Sequence, residues 1–198
     1  MRYSEHITAY LALALALGAC GLLKTRDPES PETGNTANPP AFTPETVISN
    51  LSASFADKNV NDYAKIFADT SSVGKQYVFI PTQKAAATYA GFFSHWTVDA
   101  ELNYFRKAVA SVNAAFAPVV SFSQPPAVTQ YHSDSTLYEA DYTVFISPKT
   151  FVGHARFYMV PNKNTGVWVI YRWEDLPLTQ SANPDTLSWS DLKGQFSQ

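Results

Sequence analysis

Two charged residues stand among apolar ones in segments that we expect to face each other. Arg172 lies in an alternating strand whose predicted register puts it on the apolar face, and Glu101 lies on the apolar side of a helix. Because an unpaired buried charge is costly, we expect either an internal ion pair between them or a pocket. In the pocket alternative, Arg172 lines the pocket with Tyr142, Tyr104 and Trp96 and binds a carboxylate or another anion. Glu101 is the fifth predicted ligand-binding residue. An error of register would leave Arg172 exposed.

The histidines do not form a catalytic or metal-binding set. His6 lies in the N-terminal apolar segment, His132 in a predicted loop and His154 on a polar strand face, so only His95 lies near the predicted pocket. The sequence has no nucleophile elbow, phosphate loop, dinucleotide fingerprint or histidine pair at metal spacing. We therefore predict no catalytic residue, no metal and no cofactor.

The composition argues against nucleic-acid partners and against a fold that depends on disulfides or cysteine-bound zinc. The 198 residues carry a formal net charge of -3, and the 16% that are charged form no basic run, so nucleic-acid binding is not expected. The length suits one domain with appendages. The single cysteine, Cys20, excludes a disulfide framework and a cysteine-rich zinc site.

The N-terminal segment is predicted to be an export signal. In residues 1–19 a basic Arg2 precedes an apolar run that is too short to span a bilayer. The run ends in Leu-Gly-Ala-Cys, residues 17–20, which resembles the bacterial lipobox. That resemblance implies a lipoprotein signal peptide, acyl chains such as palmitate on Cys20, and a membrane-anchored protein of the cell envelope with its domain outside the cytoplasm. An ordinary secretory signal and an uncleaved anchor are the alternatives.

Residues 20–42 are predicted to be a disordered tether. They are rich in Pro, Thr, Asn, Ser and Glu and have almost no apolar periodicity, so they cannot bury enough surface to fold. Fully extended at about 3.3 Å per residue, such a tether reaches on the order of 70 Å. The folded domain is then expected to span residues 43–198.

Three main helices are predicted in the first part of the domain. Thr43-Pro44-Glu45 is a typical helix start, and Asn61-Asp62 opens a shorter helix that forms a hairpin with the first. Thr97 caps the third helix, whose apolar side includes Glu101. Short strands are predicted at residues 76–80 and 117–124.

Residues 136–175 are predicted to form a three-stranded antiparallel meander, because β-branched and aromatic residues alternate around turn residues. If Ile146 pairs with Phe151 and Val160 pairs with Val167, the side chains of the three strands divide between two faces of the sheet. The apolar face holds Tyr138, Ala140, Tyr142, Ala155, Phe157, Met159, Trp168, Ile170 and Arg172. The polar face holds Glu139, Asp141, Thr143, His154, Arg156 and Tyr158, with Asp141 opposite Arg156. The fold class is therefore α+β, with a helical hairpin and a third helix packed on a curved antiparallel sheet.

The last segment is predicted to be a short docking helix. Ser188 and Asp191 have the spacing of a capping box. Trp189, Leu192 and Phe196 would press this helix onto the domain, either as a structural lid or as a ligand-responsive gate.

The element order resembles the NTF2-like (cystatin-like cone) superfamily. The segment VISNLSASFADKNVNDYAKIFAD, residues 47–69, resembles its first helical hairpin, and residues 166–170 are similar to its last strand. Residues 173–175 and 188–193, with Trp96 and Glu101, resemble a group of bacterial NTF2-like lipoproteins. The resemblance implies a bent sheet around a conical pocket, in a superfamily that contains isomerases, dehydratases, epoxide hydrolases and binding modules.

The expected function follows from the lipobox and the fold together. We expect a lipid-anchored cell-envelope protein that binds a small anionic or apolar ligand, or a partner, without catalysing a reaction. One alternative is a small pocket enzyme of isomerase or hydrolase type. Another is a structural protein-interaction module, with a homodimer among its assemblies.

Overall fold

The computed structural model describes residues 38–132, 134–178 and 186–197, which lie in one compact unit. The predicted signal peptide, Cys20 and the tether up to residue 37 lie outside these ranges. Within them, no helix has both the length and the apolar character needed to cross a bilayer.

The described residues form six α-helices and a 3-10 turn at Phe93–His95. The helices are α1 (Pro44–Ala56), α2 (Val60–Ala64), α3 (Thr70–Val73), α4 (Gln83–Thr88), α5 (Val98–Ala110) and α6 (Trp189–Phe196). The predicted caps are confirmed, since the Thr43 side chain accepts a hydrogen bond from the Thr46 amide and Thr97 accepts one from the Ala100 amide. The second helix is capped by Asn59 rather than Asn61.

Six strands form one mixed, curved sheet. They are β1 (Val78–Ile80), β2 (Val119–Phe122), β3 (Ala127–His132), β4 (Ser135–Ile146), β5 (Lys149–Pro161) and β6 (Trp168–Leu176). The order is β1-β6-β5-β4-β2, and β3 also pairs with β4. All pairs are antiparallel except β1 with β6. No pattern in the sequence predicted α3, α4 or β3, but the predicted α+β class is confirmed.

The meander pairs with a register two residues away from the predicted one. Ile146 lies opposite Lys149 rather than Phe151, and Val160 lies opposite Val169 rather than Val167. A shift of two residues leaves every side chain on its own face. The predicted inner residues of β4 and β5 are accordingly buried: Tyr138, Ala140, Tyr142, Ala155, Phe157 and Met159.

A bulge in β6 reverses the predicted orientation of Arg172. Tyr158 pairs with Arg172, but the next residue, Met159, pairs with Ile170, so Tyr171 is an extra residue in β6. An inserted residue moves everything after it to the opposite face. The prediction that Arg172 lies on the apolar face was therefore wrong, and Trp173 and Asp175 point inward in its place, both at most 1% exposed.

The inner face of the sheet is covered by α1 and α6, and α5 packs against α6 and α2. Their apolar sides and the inner residues form one continuous core, in which aromatic rings predominate. The predicted contact residues of α6 join it, with Trp189 and Leu192 fully buried and Phe196 partly buried. The Ser188–Asp191 capping box is also present as predicted.

The folded part begins a few residues before Thr43. Ala41 is buried, and its carbonyl accepts a hydrogen bond from the Trp168 amide. The Asn38 amide donates to Asp62, and the Asn38 side chain donates to the Asn50 carbonyl. Residues 38–42 are thus packed on the domain rather than extended as part of the tether.

Candidate functional site

The carboxylate of Glu101 lies at the centre of the buried interior. It sits on the buried side of α5, has no exposed surface and accepts four hydrogen bonds. Oε1 accepts from the Tyr63 hydroxyl at 2.7 Å. Oε2 accepts from the Tyr77 hydroxyl at 2.9 Å, from Trp96 Nε1 at 2.6 Å and from Lys193 Nζ at 2.7 Å.

The partner of Glu101 is Lys193 of α6 rather than Arg172. Lys193 is fully buried, and its Nζ lies 3.6 Å from the Phe79 ring centroid and 3.7 Å from the Trp173 centroid. The rings of Tyr104 and Trp96 lie farther out, at 5.3 and 5.7 Å. Burial lowers the pKa of Lys193 to about 8, although the charge and hydrogen bond of Glu101 act in the opposite direction.

A second buried carboxylate, Asp175, anchors the start of α6. Its Oδ1 accepts from the Tyr142 hydroxyl at 2.6 Å, and its Oδ2 accepts from the Ser190 amide at 2.7 Å and from the Ser190 hydroxyl. Burial raises the pKa of Asp175, while the hydrogen bonds from Ser190 and Tyr142 lower it. The arrangement needs Gly153, because a Cβ there would lie 2.4 Å from the Tyr142 hydroxyl.

Trp189 joins the two carboxylate clusters. Its backbone amide donates to the Tyr142 hydroxyl at 2.7 Å, and its indole N–H donates to the Tyr104 hydroxyl at 3.0 Å. The Tyr104 hydroxyl in turn lies 3.0 Å from that of Tyr63. Burial raises the pKa of Tyr63, Tyr104 and Tyr142 well above 10.0, and the neighbouring carboxylates add to this effect.

Three of the five predicted pocket residues come together. Glu101 contacts Trp96 directly and reaches Tyr104 through Tyr63, whereas Tyr142 belongs to the Asp175 cluster. Arg172 lies apart on the outer face. Its Nε bonds Glu174 at 2.8 Å, its guanidinium lies 5.3 Å from the centroid of the Tyr158 ring, and its side chain is 43% exposed. The predicted ion pair between Glu101 and Arg172 was therefore wrong.

Sequence reasoning missed Lys193, Asp175 and Ser190. Lys193 could have been found, since it stands four residues after Trp189 and three before Phe196, which puts it on the apolar side of α6. Asp175 could not, because its inward orientation depends on the bulge at Tyr171.

Polar and charged residues of the outer sheet face pair with one another. Arg156 Nε bonds Glu139 at 2.6 Å, and His154 Nδ1 lies 2.7 Å from Asp141. The predicted contact of Asp141 with Arg156 was wrong, because the two-residue register shift replaces it with these neighbours. Among the described residues, no group of three or more His, Cys, Asp or Glu side chains could hold a metal ion.

A surface groove of about 530 Å³ lies where residues 38–41 meet α1, α2 and β6. Asp62 on its wall accepts hydrogen bonds from Lys65 at 2.7 Å, from Asn59 at 2.9 Å and from the Asn38 amide at 3.0 Å. The hydrogen bonds from Lys65 and Asn38 lower the pKa of Asp62. The Asp62 carboxylate thus binds Asn38 and fixes the N-terminal residues of the domain against α2.

Comparison with known proteins gives the fold and no sequence family. No protein-family model matches the chain, and no curated protein matches it. A solved structure from Novosphingobium aromaticivorans, provisionally assigned as an aromatic ring hydroxylase, is 13% identical with a TM-score of 0.50 and covers 68% of this chain and 86% of that one.

Two further solved structures are similar at slightly lower scores. An NTF2-like protein of unknown function from Shewanella oneidensis is 9% identical with a TM-score of 0.46, covering 66% of this chain and 93% of that one. Bd1075 from Bdellovibrio bacteriovorus is 12% identical with a TM-score of 0.49, covering 69% of this chain. This protein spans only 40% of the Bd1075 chain.

These likenesses concern the fold alone. The helical hairpin, the long helix α5 and the curved sheet described above are the elements that the sequence predicted for an NTF2-like fold, and the TM-score of 0.50 to the Novosphingobium structure is in keeping with a shared fold.

Proposed function

We propose that the protein is a lipid-anchored protein of the bacterial cell envelope whose NTF2-like domain binds a small ligand or a partner and catalyses no reaction. The anchoring part is supported by the sequence of residues 1–20, where an apolar run ends in Leu-Gly-Ala-Cys. More than one acyl chain on Cys20 would give a stable anchor, whereas a single chain gives only marginal binding.

The non-catalytic part is carried by one observation, the burial of both carboxylates among hydrogen-bond donors of the chain itself. Glu101 accepts hydrogen bonds from four groups and Asp175 from three, all within the chain. A general base must have a lone pair directed at its substrate. Glu101 and Asp175 are 0% and 1% exposed, so in the folded chain their lone pairs face the protein interior and not a substrate.

The enzyme alternative would require an ionisable group with a shifted pKa that faces a cavity. Within the described ranges, the buried groups with strongly shifted pKa values bond one another. Lys193 bonds Glu101, and Asp175 bonds Tyr142 and Ser190. The arrangement favours holding α6 in place over proton transfer.

An interaction module is the second candidate, because apolar side chains are exposed on the sheet. Val119 of β2 lies opposite Phe145 of β4, and they are 54% and 39% exposed. Sedimentation of the wild-type chain against Phe145→Glu tests whether this pair supports a homodimer. Dimerisation that the substitution abolishes would support the candidate, and a monomer at every concentration would exclude a homodimer through this pair.

The anchor is tested with the full-length chain expressed in a bacterium. We expect wild-type protein in the membrane fraction with an acylated Cys20 as its first residue, detected by mass spectrometry of the N-terminal peptide. Cys20→Ser should lose the acyl chains and the cleavage at this site, whereas the control Gly18→Ala should keep both. An unmodified Cys20 in wild-type protein would contradict the proposal.

A further inference from the structure

The surroundings of the Lys193 ammonium have the composition of an ammonium-binding site. The rings of Phe79 and Trp173 approach Nζ at 3.6 and 3.7 Å, and Glu101 Oε2 accepts a hydrogen bond from it at 2.7 Å. Aromatic faces attract cations through the ring quadrupole, and the attraction strengthens when water is excluded. We call Glu101, Phe79 and Trp173 the ammonium cage.

Stability alone does not account for the cage. Taking an ammonium and a carboxylate out of water costs about as much as their attraction returns, so an apolar pair of similar volume often stabilises a core equally well. The interior around Lys193 is already apolar and aromatic, and a methionine would fill the same volume. The net stability that the charge pair adds over an apolar pair is therefore small, so stability alone does not explain why a charged pair stands here.

The group that occupies the cage belongs to a short helix, which is held by the buried side chains of Trp189 and Leu192 and by a few polar contacts. Helix α6 has eight residues. Besides Lys193, it is held by Trp189 and Ser190, which bond Tyr142, Asp175 and the Thr82 amide. Each of these bonds is exchanged for bonds to water when the helix leaves, so its net contribution is modest.

The ammonium cage also contains a buried hydrogen-bond donor that has no acceptor. Trp173 Nε1 is buried without a hydrogen-bond partner, and within the described part of the chain it is the one such side-chain nitrogen. A buried donor left without an acceptor is costly. The docked state of α6 thus leaves one polar group of the cage unsatisfied.

We propose that the ammonium cage is a binding site for a small molecule that carries a primary ammonium group, and that Lys193 occupies this site until such a ligand displaces α6. A primary ammonium fits better than a quaternary one, because the bond to Glu101 Oε2 needs an N–H donor. The proposal deepens the binding function proposed above and rests on it, since it names the ligand class that the interior takes.

The first test follows amide hydrogen exchange in the full-length wild-type protein, purified in detergent, with n-butylammonium chloride as the probe. This cation has the same four-carbon chain as a lysine side chain. We expect the amides of residues 189–196 to exchange faster as the probe concentration rises, while the amides of β4 and β5 do not change. Potassium chloride at equal ionic strength and 1-butanol at equal concentration are the controls. Unchanged exchange in α6 would overturn the proposal.

The second test removes the competing group. In Lys193→Ala, n-butylammonium should raise the Tm saturably, and its half-effect concentration should be at least about tenfold below that in wild type, because a tethered competitor acts at an effective concentration of millimolar order. Adding Glu101→Gln should abolish the preference for n-butylammonium over 1-butanol. Lys163→Ala, which removes an exposed lysine, should behave as wild type.

The outcomes separate this proposal from the proposed function. A folded Lys193→Ala that does not bind the probe overturns the cage and leaves anchoring untouched. Binding in the variant without faster exchange in wild type overturns the displacement of α6. Chemical turnover of an amine would contradict the non-catalytic function while leaving the cage in place. If Lys193→Ala does not fold, the exchange experiment on wild type decides alone.

Discussion

Glu101 and Lys193 are 92 residues apart in the chain and form a fully buried ion pair, with 2.7 Å between Oε2 and Nζ. Glu101 belongs to α5 and Lys193 belongs to α6, and the two helices pack on each other. The pair therefore fixes α6 inside the fold, and Trp189 fills the space between the two carboxylate clusters. The same contact that completes the core determines what the interior can bind.

The close packing of α6 predicts whether replacing Gly194 raises or lowers the free energy of unfolding. A Cβ at Gly194 would lie 2.4 Å from the Tyr89 ring. In a helix that packed against nothing, Gly194→Ala would stabilise by about 1 kcal/mol. Here we expect destabilisation of about 1–3 kcal/mol from overpacking, measured by urea unfolding.

The matched control for Gly194→Ala removes the ring that it meets. In a Tyr89→Ala background, the same substitution should be neutral or stabilising. Stabilisation in the wild-type background would show that α6 does not pack against Tyr89.

The buried ionisable groups predict a stability maximum at alkaline pH. Burial lowers the pKa of Lys193 from 10.5 to about 8, so above about pH 8 the unfolded chain binds a proton that the folded chain has released. The free energy of unfolding then rises with pH. Tyr63, Tyr77 and Tyr104 have a pKa raised well above 10.0, so above about pH 10 the unfolded chain ionises first and stability falls.

Urea unfolding at a series of pH values from about 7 to about 11 measures this profile. In Lys193→Met, the free energy of unfolding should no longer rise between about pH 8 and about pH 10, and it should still fall above about pH 10. If the free energy of unfolding changes equally with pH in the two proteins between about pH 8 and about pH 10, the pKa of Lys193 is not lowered in the folded chain.

The exposed position of Arg172 predicts a small effect on stability. Its guanidinium pairs with Glu174 at the surface, with 43% of the side chain exposed. We expect Arg172→Ala to change the free energy of unfolding by at most about 1 kcal/mol. A loss of about 3 kcal/mol or more, of the size found for a broken buried pair, would place Arg172 in the interior instead.

The sequence predicted the fold because the signals for it are local. Thr43 and Thr97 cap their helices, and alternation in β4 and β5 separates an inner from an outer face. Capping and alternation both depend on neighbouring residues only. An error of two residues in the strand register leaves the division into inner and outer faces unchanged.

The site was predicted in part, because its remaining members depend on long-range geometry. The burial of Glu101 followed from helical periodicity, and its need for a cationic partner followed from charge. Choosing between Arg172 and Lys193 required knowing that Tyr171 is an extra residue in β6 and that α6 docks beside α5. Neither fact is encoded in a local pattern.

The most direct test of the account is a double-mutant cycle between Glu101 and Lys193, with Glu101→Gln, Lys193→Met and the double variant compared with wild type by urea unfolding. Each single substitution leaves one buried charge without its partner, so we predict that each destabilises by about 3–5 kcal/mol. The double variant should recover part of this loss, with a coupling energy of about 1–3 kcal/mol. Losses that add to within about 0.5 kcal/mol would show that the two side chains do not pair, and would contradict the central role of this contact in holding α6 within the fold.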